Sequence, residues 1–286
     1  MRGRIPEIAR FVRSELLTDH GVRTVPFSER GNGNEAVLDA WYPHWDLYAL
    51  KLLRRAGDEK GIIHWLSLAN MALEKLGYCP EYVGLKGFRD GDPAAWQNHG
   101  APSNLNCVTG WYRGILEGIC GLEIDPGGLT ILPAPLPAGS VRVTGLSFRG
   151  GVWDVGVIYG GPHLEESVVD GHVLTGCQKV PLPLCGEGRH TMRLRYGQHS
   201  PGLYVEELTN GEVLEILEAN AETVRLRVRA LGFCELVYHS ERPVIVRLDG
   251  QEIRTMRDPV MAKGLCVIER RGESVLEVTR ADEHQA

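Results

Sequence analysis

Apolar side chains recur at helical spacing up to residue 122 and at strand spacing beyond it. Ile5, Ile8, Ala9, Val12 and Leu16 make one stripe. Trp45, Tyr48, Ala49, Leu52, Leu53 and Ala56 fall at i, i+3, i+4, i+7, i+8 and i+11, the repeat of a helix with one buried face. Gly57, after Arg54 and Arg55, is expected to stop that helix, and Asp58 to cap the next. The third stripe is Ile62, Trp65, Leu66, Ala69, Leu73 and Leu76, closed by Gly77 in the left-handed conformation other residues resist. A fourth helix carries Val108, Trp111, Tyr112, Ile115, Leu116 and Ile119 and ends at Gly121, with Asn104 or Asn106 as its cap.

Past residue 122 the period is two. Trp153, Val155, Val157 and Tyr159 alternate with Val152, Asp154, Gly156 and Ile158. His190, Met192, Leu194 and Tyr196 alternate with Arg189, Arg193 and Arg195; Val224, Leu226, Val228 and Ala230 with Arg225, Arg227 and Arg229. Half-buried antiparallel strands follow. The pairs Gly127–Gly128, Gly150–Gly151, Asn210–Gly211 and Asp249–Gly250 predict turns between them. The expected fold class is α+β: a helical part over residues 1–122, a β-sandwich over 123–200 and a second β-rich unit over 201–286. Arginines 225, 227 and 229 read as a solvent-facing strand side, with an anionic-polysaccharide patch as the alternative.

Charge and cysteine content narrow the function. A net charge of −6 leaves no broad basic face, so nucleic acid is not an expected partner. No apolar run approaches the ~18 residues of a membrane span, and the first ten residues lack an apolar signal core. Seven scattered cysteines with no Cys-x-x-Cys pair argue for reduced thiols in a cytoplasm. His163, His172, His190 and His199 lack metal-ligand spacing, so neither metal nor cofactor is expected. Gly31, Asn32, Gly33 and Asn34 are turn chemistry without the strand–loop–helix setting of a phosphate site. The absence of a Gly-x-Ser-x-Gly elbow argues against an α/β-hydrolase.

The chemistry concentrates between Tyr78 and His99. Pro80 ends a helix and fixes the approach of Glu81; Trp96, Gln97 and His99 crowd a loop with Asp90 and Asp92. Sugar sites use such parts, with rings packing on indoles, hydroxyls bonding amides and imidazoles, and carboxylates moving protons. Trp41 and His44 are the further sugar contacts, while Trp45, heading its stripe, is expected in the core with Trp65, Trp111 and Tyr112. The plain alternatives are a solvated surface glutamate at 81 and a loop packed by its own tryptophan at 96. Glu117, opposite its helix's stripe, is expected to be solvated or paired.

The order of motifs from Gly21 to Asp170 resembles the C-terminal end of six-hairpin, (α/α)6-toroid glycosidases. Bacterial α-L-rhamnosidases and amylo-α-1,6-glucosidase glycogen-debranching proteins are nearest in pattern. The likeness rests on Gly21 to Thr24, Trp41 to Trp45 opening a helix, Pro80 to Tyr82 after a helix, Asn104 to Gly121 and Leu129 to Pro133. Gly145 to Gly150 ahead of Trp153 to Val155 completes the series. The resemblance implies partial toroid hairpins followed by an antiparallel β-sandwich, and inverting glycoside hydrolysis with Glu81 as general base. An inverting base stands about 6.5–9.5 Å from its acid, and the resemblance places that acid before the first residue of a chain that is then the last part of a barrel. Four helices do not close such a ring. The expected partners are therefore a carbohydrate substrate and a partner subunit or second copy completing the toroid. Two rival functions remain: a non-catalytic carbohydrate-binding or assembly component of a split glycosidase, and a glycoside phosphorylase.

Overall fold

The computed structural model describes residues 5–18, 21–22, 40–81, 83–84, 104–200, 202–258 and 262–281. Contacts divide the chain into two compact units, one of residues up to Gly121 with Pro133–Leu136, the other of Leu122–Leu132 with Pro137 onward. Trp96, Gln97 and His99 lie outside the described residues.

Four helices form where the 3.6-residue stripes predict them. They are α1 (Ile5–Phe11, widening into a π turn at Val12–Leu16), α2 (Asp46–Arg55, entered through a 3-10 turn at Pro43–Trp45), α3 (Glu59–Leu76) and α4 (Leu105–Arg113, widening into a π turn at Gly114–Ile119). Their ends follow local chemistry. The Asp58 carboxylate accepts from Gly61 N at 3.1 Å and the Asn104 side chain from Asn106 N at 2.9 Å, satisfying amides that a helix start leaves orphaned. Gly57, Gly77 and Gly121 all take positive φ, which ends each helix without the Cβ clash an L-residue meets. The unit also holds two short antiparallel ribbons, β1 (Leu17–Thr18) with β2 (Gly21–Val22) and β3 (Ala40–Trp41) with β4 (Val83–Gly84).

The packing of α2 on α4 is set by a glycine stripe. Gly110, Gly114 and Gly118 recur every fourth residue, so they share one helix face. A Cβ on Gly110 would lie 2.4 Å from His44 Cα, and one on Gly118 2.5 Å from Leu50 Cβ. Each glycine weakens a helix by about 1 kcal/mol relative to alanine, and the return is backbone-close contact. This stripe redirects α4: Cys107, Trp111 and Ile119 are buried, whereas Val108, Tyr112 and Ile115, expected in the core, are exposed.

Beyond the helices, a hairpin of β5 (Leu122–Asp125) and β6 (Gly128–Ile131) precedes two sheets. The first contains β7 (Gly139–Phe148), β8 (Gly151–Tyr159), β9 (His163–Val169), β10 (His172–Val173) and β11 (Gly188–Gly197) in the order β10-β9-β11-β8-β7. The second contains β12 (Tyr204–Ala219), β13 (Thr223–His239), β14 (Val244–Leu248), β15 (Gln251–Ile253), β16 (Thr255–Asp258) and β17 (Lys263–Arg280); its order is β12-β13-β17-β14-β15, with β16 also on β17. Val205, Val228, Leu236, Tyr238, Ile268 and Leu276 belong to its core. The arginines at 225, 227 and 229 form a surface ladder with Glu218, Glu215, Glu212, Glu273 and Glu277. Exposed pairs of this kind contribute roughly 0–1 kcal/mol each, so the ladder fixes register more than it stabilises.

Three expectations need correction. The partial toroid is not what forms: among the described residues strand makes up 51% against four short helices, of which α1, α2 and α4 run 7, 10 and 9 residues. Only the coarse mixture of helices followed by strands survives from that fold class. The first sheet is not purely antiparallel, because β11 inserts between β9 and β8 and runs parallel to β8. Asn210–Gly211 is no hairpin turn. It lies inside β12 as a bulge, with Asn210 at φ 54 and its amide donating to Asp125 Oδ2 at 3.2 Å.

Candidate functional site

Residues from three separate stretches of the helical unit meet at the N-terminal ends of α2 and α4. The 3-10 turn before α2 presents His44. The turn after α3 presents Cys79, Pro80 and Glu81, and the first turn of α4 presents Cys107. Cys107 joins them: its Sγ lies 3.0 Å from the Glu81 carbonyl oxygen and 3.7 Å from His44 Nδ1. A thiol has one proton to give. With that proton on the Glu81 carbonyl, the sulfur accepts from His44, which places the imidazole proton on Nδ1 and leaves Nε2 as the ring's acceptor. Burial holds His44 below its usual range, so the ring is neutral near pH 7.

Both thiols are structural. Burial pushes Cys79 up to about 12, reinforced by Cys107 and Asp46, and burial also raises Cys107. A thiolate is the form that attacks or binds metal, so a Cys–His nucleophile is not what this geometry provides. Among the described residues no group of three His, Cys, Asp or Glu side chains is placed to hold a metal ion.

Beneath this layer sits a carboxyl at the first residue of α2. Asp46 is fully buried, and its two oxygens each lie 3.1 Å from the indole nitrogen of Trp41. Burial pushes its pKa up to about 8, against the opposing influence of the Trp65 and Trp41 indoles. Of those two, the Trp41 N–H is the one within bonding distance. At neutral pH Asp46 is therefore mostly protonated, an acid anchoring an indole. Trp41 in turn pairs with Val83 in the β3–β4 ribbon, two residues past Glu81.

Trp65 and Trp111 are buried as expected, but the assignments of Trp41 and Trp45 come out reversed. Trp41, expected as a sugar contact, is 1% exposed and offers no open ring face. Trp45, expected in the core, is 45% exposed and tilts against His44 with 4.5 Å between ring centroids. Tyr48, 64% exposed, follows at 6.1 Å from Trp45. The reason is that α2 buries the face of Asp46, Leu47, Leu50, Leu53 and Arg54, which leaves Trp45 and Tyr48 on its outer side. His44 is half-buried and Glu81 half-buried. Glu117 is paired, to Lys51 at 2.9 Å and Arg113 at 2.6 Å, as its position opposite the stripe suggested. Cys79 and Cys107 are the site residues that pattern reading missed; no spacing rule couples a cysteine before Pro80 to another at the start of α4.

No helix among the described residues is long and apolar enough to cross a membrane. The chain matches no protein-family model and no curated protein.

Proposed function

We propose that the helical unit hydrolyses a glycosidic bond, with Glu81 as the general base and with His44, Trp45 and Tyr48 as sugar contacts. The observation that carries this reading is the convergence of Glu81 and His44 through the single Cys107 thiol, beside a row of exposed rings. Exposed aromatic faces suit the C–H faces of a sugar, and the unprotonated Nε2 of a neutral histidine suits its hydroxyls. In this reading the half-buried Glu81 carboxylate takes a proton from an attacking water. The seven thiols, all free and buried, support a reducing compartment such as the cytoplasm.

A second reading is favoured by one observation. Leu105, Val108, Tyr112 and Ile115 are exposed along one side of α4, and apolar patches of this kind mark interaction surfaces. Here the chain is a carbohydrate-binding or assembly component whose catalysis depends on a partner or a second copy.

One experiment separates the two. The intact chain is assayed against a panel of aryl glycosides and neutral oligosaccharides, with Glu81→Gln alongside. The hydrolase reading expects turnover by the wild type that falls on the order of 100-fold or more in Glu81→Gln, the scale of a lost general base. Turnover unchanged in Glu81→Gln removes the base assignment. Binding without turnover in both proteins favours the non-catalytic reading.

A further inference from the structure

The outward face of the first sheet holds arginines that pair with nothing among the described residues, two of them flanking one glycine. Arg142 on β7 and Arg193 on β11 are both in register with Gly156 on β8. The three form one row across adjacent strands, so the two arginine Cα atoms stand about 10 Å apart, two inter-strand spacings. Both arginines are exposed, while Val155, Val157, Met192 and Leu194 point into the core. Among the described residues neither arginine makes a hydrogen bond or ion pair. By contrast, Arg195, Arg225, Arg227, Arg229 and Arg247 on the strands are each paired with glutamate.

The glycine between them has no local reason to be there. Gly156 does not take a positive φ, and a Cβ built on it meets nothing within 4 Å. Glycine weakens a strand interior, and one that neither turns the chain nor admits a neighbour marks a place where a ligand comes close to the backbone. The row is therefore a glycine floor between two free guanidinium groups. Arginine's planar fork matches the two oxygens of a carboxylate or the oxygens of a sulfate.

We propose that this face binds an acidic polysaccharide, seating one carboxylate or sulfate over Gly156 between Arg142 and Arg193. The surroundings favour a glycan. Ser140 and Ser147 are exposed on the same face, opposite Ile158 and Val152, and supply hydroxyl partners for sugar hydroxyls. Arg189, also exposed and unpaired among the described residues, lies four residues from Arg193 on β11 and can meet a second acidic residue along the chain. Asp154 and Glu166 on this face interrupt the positive field, which disfavours the closely spaced phosphates of nucleic acid. An extended peptide docks on sheet edges, where backbone groups are unpaired, and a sheet face offers none. The proposal concerns the β unit and does not depend on the activity assigned to the helical unit.

The test is affinity electrophoresis of the intact chain through gels containing polygalacturonate, heparin, polyglutamate or dextran. Retardation by polygalacturonate or heparin, and none by dextran, is expected; the stronger of the two identifies carboxylate or sulfate as the recognised group. Arg142→Gln with Arg193→Gln is expected to weaken binding on the order of tenfold or more. Gly156→Val is expected to melt no lower than wild type, since its side chain enters open space and suits a strand, and yet to lose binding to a similar degree. Unchanged retardation of the arginine double variant, equal retardation by polyglutamate, or absence of retardation by both acidic glycans would overturn the proposal. So would a Gly156→Val protein that melts well below wild type, which would assign the glycine to packing.

Discussion

Asp46→Asn is expected to make the helical unit more stable than wild type at pH 8, by an amount that shrinks steadily as pH falls toward 4. In the fold, burial lifts Asp46 from 3.8 to about 8; in the unfolded chain it ionises at its ordinary value. Between those limits the native state holds a proton that the unfolded state releases, so rising pH favours unfolding. Each pH unit in the window removes roughly 1.4 kcal/mol of wild-type stability, on the order of 5 kcal/mol across it. Asparagine keeps an acceptor for the Trp41 indole without a proton to lose, so its stability lacks this slope. Urea unfolding of both proteins by helical circular dichroism, from pH 4 to 8, reads the difference directly. A constant gap between the two curves would show that Asp46 is ionised in the fold, held by contacts other than those to Trp41.

The second large effect lies in the β unit, at Lys179. Its side chain is 0% exposed. The ammonium has three protons and three acceptors: Asp125 Oδ1 at 2.8 Å, Asp125 Oδ2 at 2.9 Å and the Leu208 carbonyl at 2.8 Å. Asp125 also accepts from Gly127 N and Asn210 N, so one carboxylate joins the β5–β6 hairpin, the β12 bulge and the strand-like segment at 179. Asp125→Ala removes that partner and leaves a buried charge unpaired, which costs about 3–5 kcal/mol. Lys179→Met deletes the charge while filling most of the volume and leaves Asp125, 22% exposed, with water and two amides. It is expected to cost clearly less. Denaturant midpoints of the two variants at pH 7 decide the order; a methionine variant as damaged as the alanine variant would mean the lysine's shape, not its charge, is what the site needs.

Both effects arise from buried polar groups, and these were the least legible features in the sequence. Local chemistry was legible: Asp58 and Asn104 cap helices, Gly57, Gly77 and Gly121 end them, and Asp249–Gly250 turns β14 into β15 with both residues at positive φ. Such signals depend on a few neighbouring residues. What failed needed distant partners. Tyr112 matches a buried stripe by period, yet Gly110, Gly114 and Gly118 turn the opposite side of α4 inward. The alternation in β11 predicts a strand but cannot say that its neighbour runs parallel. The short motifs that resembled a toroid describe helix entries and exits, and nothing in them fixes how many helices close on one another. Of the site, the role of Glu81 came from the resemblance and that of His44 from residue type, whereas the thiols of Cys79 and Cys107 and the burial of Asp46 became visible only where the chain folds back on itself.

Calorimetric titration of the intact chain with neutral oligosaccharides, wild type beside Trp45→Ala and Glu81→Gln, tests the saccharide site most directly. Saturable binding is expected for at least one sugar. Trp45→Ala should weaken it on the order of tenfold, the scale of one lost aromatic contact, and Glu81→Gln should retain it while turnover falls on the order of 100-fold or more. Heats indistinguishable from dilution for every sugar, or identical affinities in wild type and Trp45→Ala, would contradict a sugar seated against His44 and Trp45.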